Sequence, residues 1–148
     1  MLCALLRFLL DLHLSPTEIA SAADIERNFS RQICVVNDIC SWEKEVKAAT
    51  TTPANGGGEH VFCSAVKVLA DETRLTPAAT KGILWTMVRA WDQRHAELAL
   101  EREGSSSAAE GCSEALKGYM KGFEAIFVGH EEWCLTTRRY RPAVLASG

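Results

Sequence analysis

The chain has 148 residues, 47% of them hydrophobic and 24% charged, enough for one domain with a real core in an ordinary globular composition. Its net charge of −3 gives no reason to expect nucleic acid or an anionic membrane as partner. The opening run MLCALLRFLL lacks a basic leader and is interrupted by Arg7, which argues against a signal peptide, and no stretch reaches the length of a membrane span.

Residues 1–14 form an apolar segment that stops at Ser15-Pro16. Ser15-x-x-Glu18 is a capping-box pattern with proline at the first helical position, so it predicts a short helix. A long helix is expected from about Asp24 to Ala49, ended by the loop TTPANGGGE. Phe62, Ala65, Val66 and Leu69 give the next helix its apolar stripe. Thr76-Pro77 opens another, with Ile83, Leu84, Met87, Val88, Trp91 and Leu98 at helical spacing. EGSSSAAEG breaks the chain again. A last helix follows, carrying Leu116, Tyr119, Phe123, Phe127 and Trp133 on its apolar side. No strand alternation and no internal repeat occurs, so the fold class is all-α.

The six cysteines (Cys3, Cys34, Cys40, Cys63, Cys112, Cys134) show no CxxC and irregular gaps. They predict neither a zinc site nor a secreted disulfide scaffold. Most sit among apolar neighbours and read as small core hydrophobes in a reducing, cytoplasmic setting. His13, His60, His95 and His130 have no ligand spacing among them and read as surface or core residues.

The long helix holds the chemistry. On a helical wheel Ile25, Phe29, Ile33, Val35, Val36, Ile39, Trp42 and Val46 fill one arc of about 180°. Ser30, Cys34, Asn37, Ser41 and Glu45 fall on a separate strip, because a step of four advances only about 40°. Lys44 lies at the edge of that strip. An amide carbonyl, a hydroxyl and a carboxylate are hard oxygen donors. They suit Mg²⁺, which keeps waters and takes its remaining ligands from substrate phosphates. A bare N-x3-S-x3-E pattern is ordinarily a solvated polar face. The complete string [N/D]-D-x-x-[S/T]-x-x-[K/R]-E is rarer, about one chance match per thousand chains of this length.

NDICSWEKE, residues 37–45, resembles the second metal-binding motif of class I terpene cyclases, the fungal enzymes in particular. That resemblance implies Mg²⁺ held by Asn37, Ser41 and Glu45, with Lys44 on the diphosphate of a prenyl diphosphate substrate. WCLTTRRY, residues 133–140, resembles the family's C-terminal W-x-x-x-T-x-R-Y segment. It implies that Arg139 and Tyr140 hydrogen-bond the departing diphosphate. Trp133 would then line the cavity and stabilise carbocations, a cation–π contact of about 2 kcal/mol or more when desolvated. DLHLSPTEI, CSAVKVLADE and YMKGFEAIFVGHEEW are similar to stretches of fungal di- and sesterterpene cyclases, which implies a C20 or C25 substrate. Cys40 departs from the aromatic or aliphatic residue common there, and His130 from asparagine.

The family also needs an aspartate-rich D-D-x-x-D type helix. No such cluster occurs in this chain, and the acidic runs ADET and HEEW have other spacing. Arg7 lies too close to the motif to serve as the family's diphosphate-sensing arginine. The expectation is therefore a partial class I terpene synthase helical bundle: residues 1–148 as the C-terminal part of a cyclase domain, without the aspartate-rich helix or any prenyltransferase domain. Two readings stay open. One is half of a Mg²⁺-dependent cyclase, the other a catalytically inactive helical remnant or interaction module. In either case apolar faces meant for missing helices would favour self-association.

Overall fold

The structure is a computed structural model that describes residues 2–51, 63–104 and 112–140. Among these, six α-helices and no strand occur: α1 (Leu2–Leu9), α2 (Pro16–Ser21), α3 (Ala23–Thr51), α4 (Ala65–Thr73), α5 (Pro77–Gly104) and α6 (Glu114–Thr136). The expected all-α class is what is found. Most of TTPANGGGE and EGSSSAAEG, together with Phe62 and His60, lies outside the described residues. The chain divides into two compact units: Met1–Ile33 with Arg89–His130, and Cys34–Val88 with Glu131–Gly148.

In the first unit the capping box forms as the sequence predicts. The Glu18 N–H donates to Ser15 Oγ at 3.2 Å, and the Ser15 N–H donates to Glu18 Oε2 at 2.7 Å. Ser113, which caps α6 through the Leu116 N–H, also donates to Glu18. One carboxylate thus ties the starts of two helices, and the Ser113 hydrogen bond, with the two from Ser15, lowers its pKa. Helix α1 ends earlier than the apolar run suggests, because Asp11 turns left-handed at φ 50°. Phe8 and Leu9 are consequently exposed. Helix α1 packs closely on α6 at Gly122, where an added Cβ would sit 3.0 Å from the Leu6 and Leu10 side chains.

The core of this unit is aromatic. Phe123 stacks at a tilt between Phe29 and Tyr119, with ring centroids 4.6 and 4.5 Å away, and all three rings are buried. Most polar groups that enter it are hydrogen-bonded, as burial favours, while the ring nitrogens of buried His95 have no hydrogen-bond partner among the described residues. The Tyr119 hydroxyl donates to Glu26 Oε1 at 2.6 Å and accepts from Arg7 Nη1 at 2.8 Å. Asn28 donates to the Trp91 carbonyl and Gln32 to Asp92. Asn28 and Gln32 are buried, which the wheel did not foresee.

The second unit contains α4, the C-terminal part of α3, the N-terminal part of α5 and the end of α6. Val36, Ile39, Val66, Leu84, Val88 and Cys134 are its buried apolar residues. Ile83 and Met87 share the helical stripe of α5 but are each 40% exposed. The cysteine expectation needs correction. No disulfide links the described cysteines, but only Cys134 is buried, and Cys34 and Cys63 are exposed. A thiol's mild apolarity is too weak to dictate burial by itself. Among the described residues no helix is long and apolar enough to cross a membrane.

Candidate functional site

The oxygen strip lies on the second unit's portion of α3. Asn37, Ser41 and Glu45 occupy successive turns of one unbroken helix, so their side chains rise along one face. Asn37 and Glu45 are half-buried. Ser41 is 1% exposed, and its hydroxyl has no hydrogen-bond partner among the described residues. In a helix a serine can turn its hydroxyl back to the carbonyl one turn earlier, but this one does not. Farther back along the strip, Ser30 and Cys34 are exposed.

The C-terminal segment returns to the same strip. Helix α6 ends in a turn in which the Thr137 N–H donates to the Trp133 carbonyl, the Arg139 N–H to Thr137 Oγ1, and the Tyr140 N–H to the Thr137 carbonyl. Thr137 thereby curls the chain so that the Tyr140 hydroxyl donates to Asn37 Oδ1 at 2.8 Å. The Tyr140 ring lies under the Lys44 ammonium, 5.5 Å from Nζ to centroid, and meets the Trp133 ring edge-on at 5.5 Å. Burial pushes the Tyr140 phenol up from its ordinary pKa, so it is a hydrogen-bond donor at neutral pH.

Asn37, Lys44, Trp133 and Tyr140 are thus brought together. Arg139 is exposed. Trp133, expected on the apolar side of α6, is 47% exposed. The residue that sequence reasoning left without a role is Asp38. Its carboxylate accepts the Ala65 N–H at 2.7 Å, while Ser64 caps the same helix through the Val66 N–H at 3.2 Å. Asp38 therefore anchors α4 rather than facing the strip. Desolvation raises its pKa, against the opposing Ala65 hydrogen bond. Beside the strip, Cys40 and Cys134 line one open cavity. Burial pushes both thiols up, Cys134 to about 11. Among the described residues no group of three His, Cys, Asp or Glu side chains could hold a metal. Any metal on this strip would rest on the mixed amide, hydroxyl and carboxylate set.

The chain has the all-α fold of the terpene synthases. The crystal structure of aristolochene synthase from Penicillium roqueforti superposes on 93% of it with a TM-score of 0.77 and 44% identity. Its homologues are aristolochene synthases: the Penicillium roqueforti enzyme is 46% identical over 140 residues, 95% of this chain. This chain spans about two fifths of that relative's length (39%). The expected likeness to C20 and C25 cyclases is corrected by the same comparison. A cyclopiane-type diterpene synthase from Penicillium chrysogenum is only 28% identical, over 109 residues and 74% of the chain. No protein-family profile matches the chain.

Proposed function

We propose that this chain is the C-terminal, metal-binding part of a fungal-type class I terpene cyclase, a lyase of isoprenoid biosynthesis that ionises and cyclises a C15 prenyl diphosphate. The C15 choice follows the aristolochene synthases, whose product has fifteen carbons. One observation carries the site assignment. Ser41 presents a fully buried hydroxyl without a partner, midway between the amide oxygen of Asn37 and the carboxylate of Glu45. An orphaned hydroxyl in that position fits a hard cation such as Mg²⁺, which would be held by Asn37, Ser41 and Glu45.

The cation, when bound, supplies positive charge against the departing diphosphate. Lys44 and Arg139 add fixed cationic N–H donors for the same oxygens, and the Tyr140 phenol adds a neutral one. Through its hydrogen bond Tyr140 also orients the Asn37 amide, oxygen towards the phenol. The Trp133 face offers a π surface to a hydrocarbon cation. Three protein oxygens on one helix are too few to hold Mg²⁺ tightly, so this chain alone is expected to be inactive. Six cysteines outside any disulfide support a cytoplasmic setting.

The test is a hybrid in which this chain replaces the corresponding part of an aristolochene synthase and is assayed with farnesyl diphosphate and Mg²⁺. The hybrid should form cyclic C15 hydrocarbon, and Glu45→Gln should remove turnover, since it deletes the strip's only formal charge. Equal turnover with Glu45→Gln would sink the assignment of the metal strip.

A further inference from the structure

We infer that the cavity between α3, α5 and α6 of the first unit binds a small uncharged aromatic alcohol, of which phenol is the simplest, with the His95 imidazole as its hydrogen-bond partner. The cavity measures about 220 Å³. Its walls include Phe29 and Gln32 of α3, Asp92 and His95 of α5, and Phe123, Glu124 and Phe127 of α6. All of these belong to the first unit, whereas the oxygen strip belongs to the second, so the inference stands apart from the cyclase reading. An apolar cavity of about 150 Å³ with walls of this kind takes up benzene, so the volume here suits a single ring. The three phenylalanines supply the tilted ring contacts that an aromatic guest prefers.

Aromatic walls alone would select a hydrocarbon, and His95 is what asks for a hydroxyl. The residue is 7% exposed, and neither ring nitrogen has a hydrogen-bond partner among the described residues. Glu124 Oε1 stands 3.9 Å from Nε2, beyond hydrogen-bond reach. Asp92 is engaged elsewhere, accepting from Gln32 Nε2 and pairing with Arg89, each at 3.2 Å. Desolvation holds the imidazole below its ordinary pKa of 6.5, against the opposing charges of Glu124 and Asp92. At neutral pH the ring therefore carries one N–H and one bare nitrogen. A hydroxyl both donates and accepts, so it pairs with whichever nitrogen it meets. The nitrogens are closed to water, but turning the imidazole towards the cavity it lines breaks no hydrogen bond, since it has none to lose. A carboxylate guest would meet Glu124 and Asp92 on the walls and be repelled. An ammonium guest would give up its hydration for an Asp92 that is already paired.

The experiment titrates the full chain with phenol, toluene and benzylamine at neutral pH, read by saturation-transfer NMR of each ligand and by the shift in Tm. Phenol should bind saturably and raise Tm, with an affinity about five- to ten-fold above that of toluene, the worth of one net hydrogen bond. His95→Leu should erase that preference while toluene still binds. Ala96→Phe, at an exposed position on the cavity wall, should weaken both ligands. The proposal is overturned if toluene binds as tightly as phenol, if benzylamine binds more tightly than either, or if no ligand saturates. A phenol preference that survives His95→Leu overturns it as well. Should His95→Leu fail to fold, the wild-type comparison of the three ligands still decides.

Discussion

Replacing Ser41 with alanine should make this chain more stable, although serine is the residue its proposed chemistry needs. The Ser41 hydroxyl is buried and lacks a partner, and a buried polar group in that state costs roughly 1–3 kcal/mol. Alanine removes the hydroxyl without opening a cavity larger than one oxygen atom. It also suits the interior of α3 better than serine, by about 0.5 kcal/mol. Discounting for relaxation around the smaller side chain, the net gain should be about 1–2 kcal/mol, or about 2–8 °C in Tm. The assay is urea and thermal unfolding followed by far-UV circular dichroism, in chelator, so that no cation can satisfy the hydroxyl. Thr80→Val is the control. Thr80 is equally buried, but its hydroxyl donates to the Thr76 carbonyl at 3.0 Å, so its loss should destabilise or be neutral. A Ser41→Ala variant no more stable than wild type would mean that the hydroxyl has a partner after all. The argument for an oxygen held ready for a metal would then fail.

Other consequences are equally direct. Asp38→Ala should cost about 1–2 kcal/mol by stripping the Ala65 N–H of its acceptor, and Asp38→Asn less, because an acceptor remains. Since burial raises the folded-state pKa of Asp38, its ionisation opposes folding. Wild type should therefore gain stability relative to Asp38→Asn as pH falls through the folded value towards 3.8. Tyr119→Phe should cost roughly 1–3 kcal/mol at neutral pH by removing the hydroxyl between Glu26 and Arg7. Desolvation, reinforced by Glu26, raises the Tyr119 pKa far above its ordinary 10.0. Its contribution is therefore complete below that pH and fades above it, by at most about 1.4 kcal/mol per pH unit. Paired urea titrations from pH 8 upward would show the gap between wild type and variant closing. Leu2, Leu5, Phe8, Leu9 and Leu10 are exposed around α1, and sedimentation velocity should show concentration-dependent self-association that Phe8→Ser with Leu9→Ser weakens.

What could be read in the sequence was local. The capping box at Ser15 and Glu18 sits within one turn, and the arc from Ile25 to Ile39 follows from helical period alone. The strip of Asn37, Ser41 and Glu45 is likewise a matter of spacing. The rest depended on partners far along the chain. Asn28 and Gln32 look like surface residues because the groups that satisfy them, Trp91 and Asp92, lie 63 and 60 residues away. The task of Asp38 at Ala65 is invisible for the same reason. Trp133 shows the limit of periodicity, since it shares a stripe with buried Phe123 and Phe127 yet stands exposed near the helix end. Prenyl chain length was out of reach because the motif residues are proposed to meet the diphosphate, which all such substrates share.

The Asp38–Ala65 hydrogen bond spans 27 residues, and it shapes how this region can change. It closes a ring of chain whose two ends are held by one carboxylate next to Asn37. Lengthening such a ring is cheap, because doubling its length adds only about 0.6 kcal/mol of closure entropy, less than the hydrogen bond contributes. Insertions between Thr51 and Cys63 should therefore leave the register of Asn37, Ser41 and Glu45 untouched. That stretch is a place to graft a tag or a fluorophore, whereas a single residue inserted between Asp38 and Glu45 would rotate the strip by about 100° and scatter its oxygens.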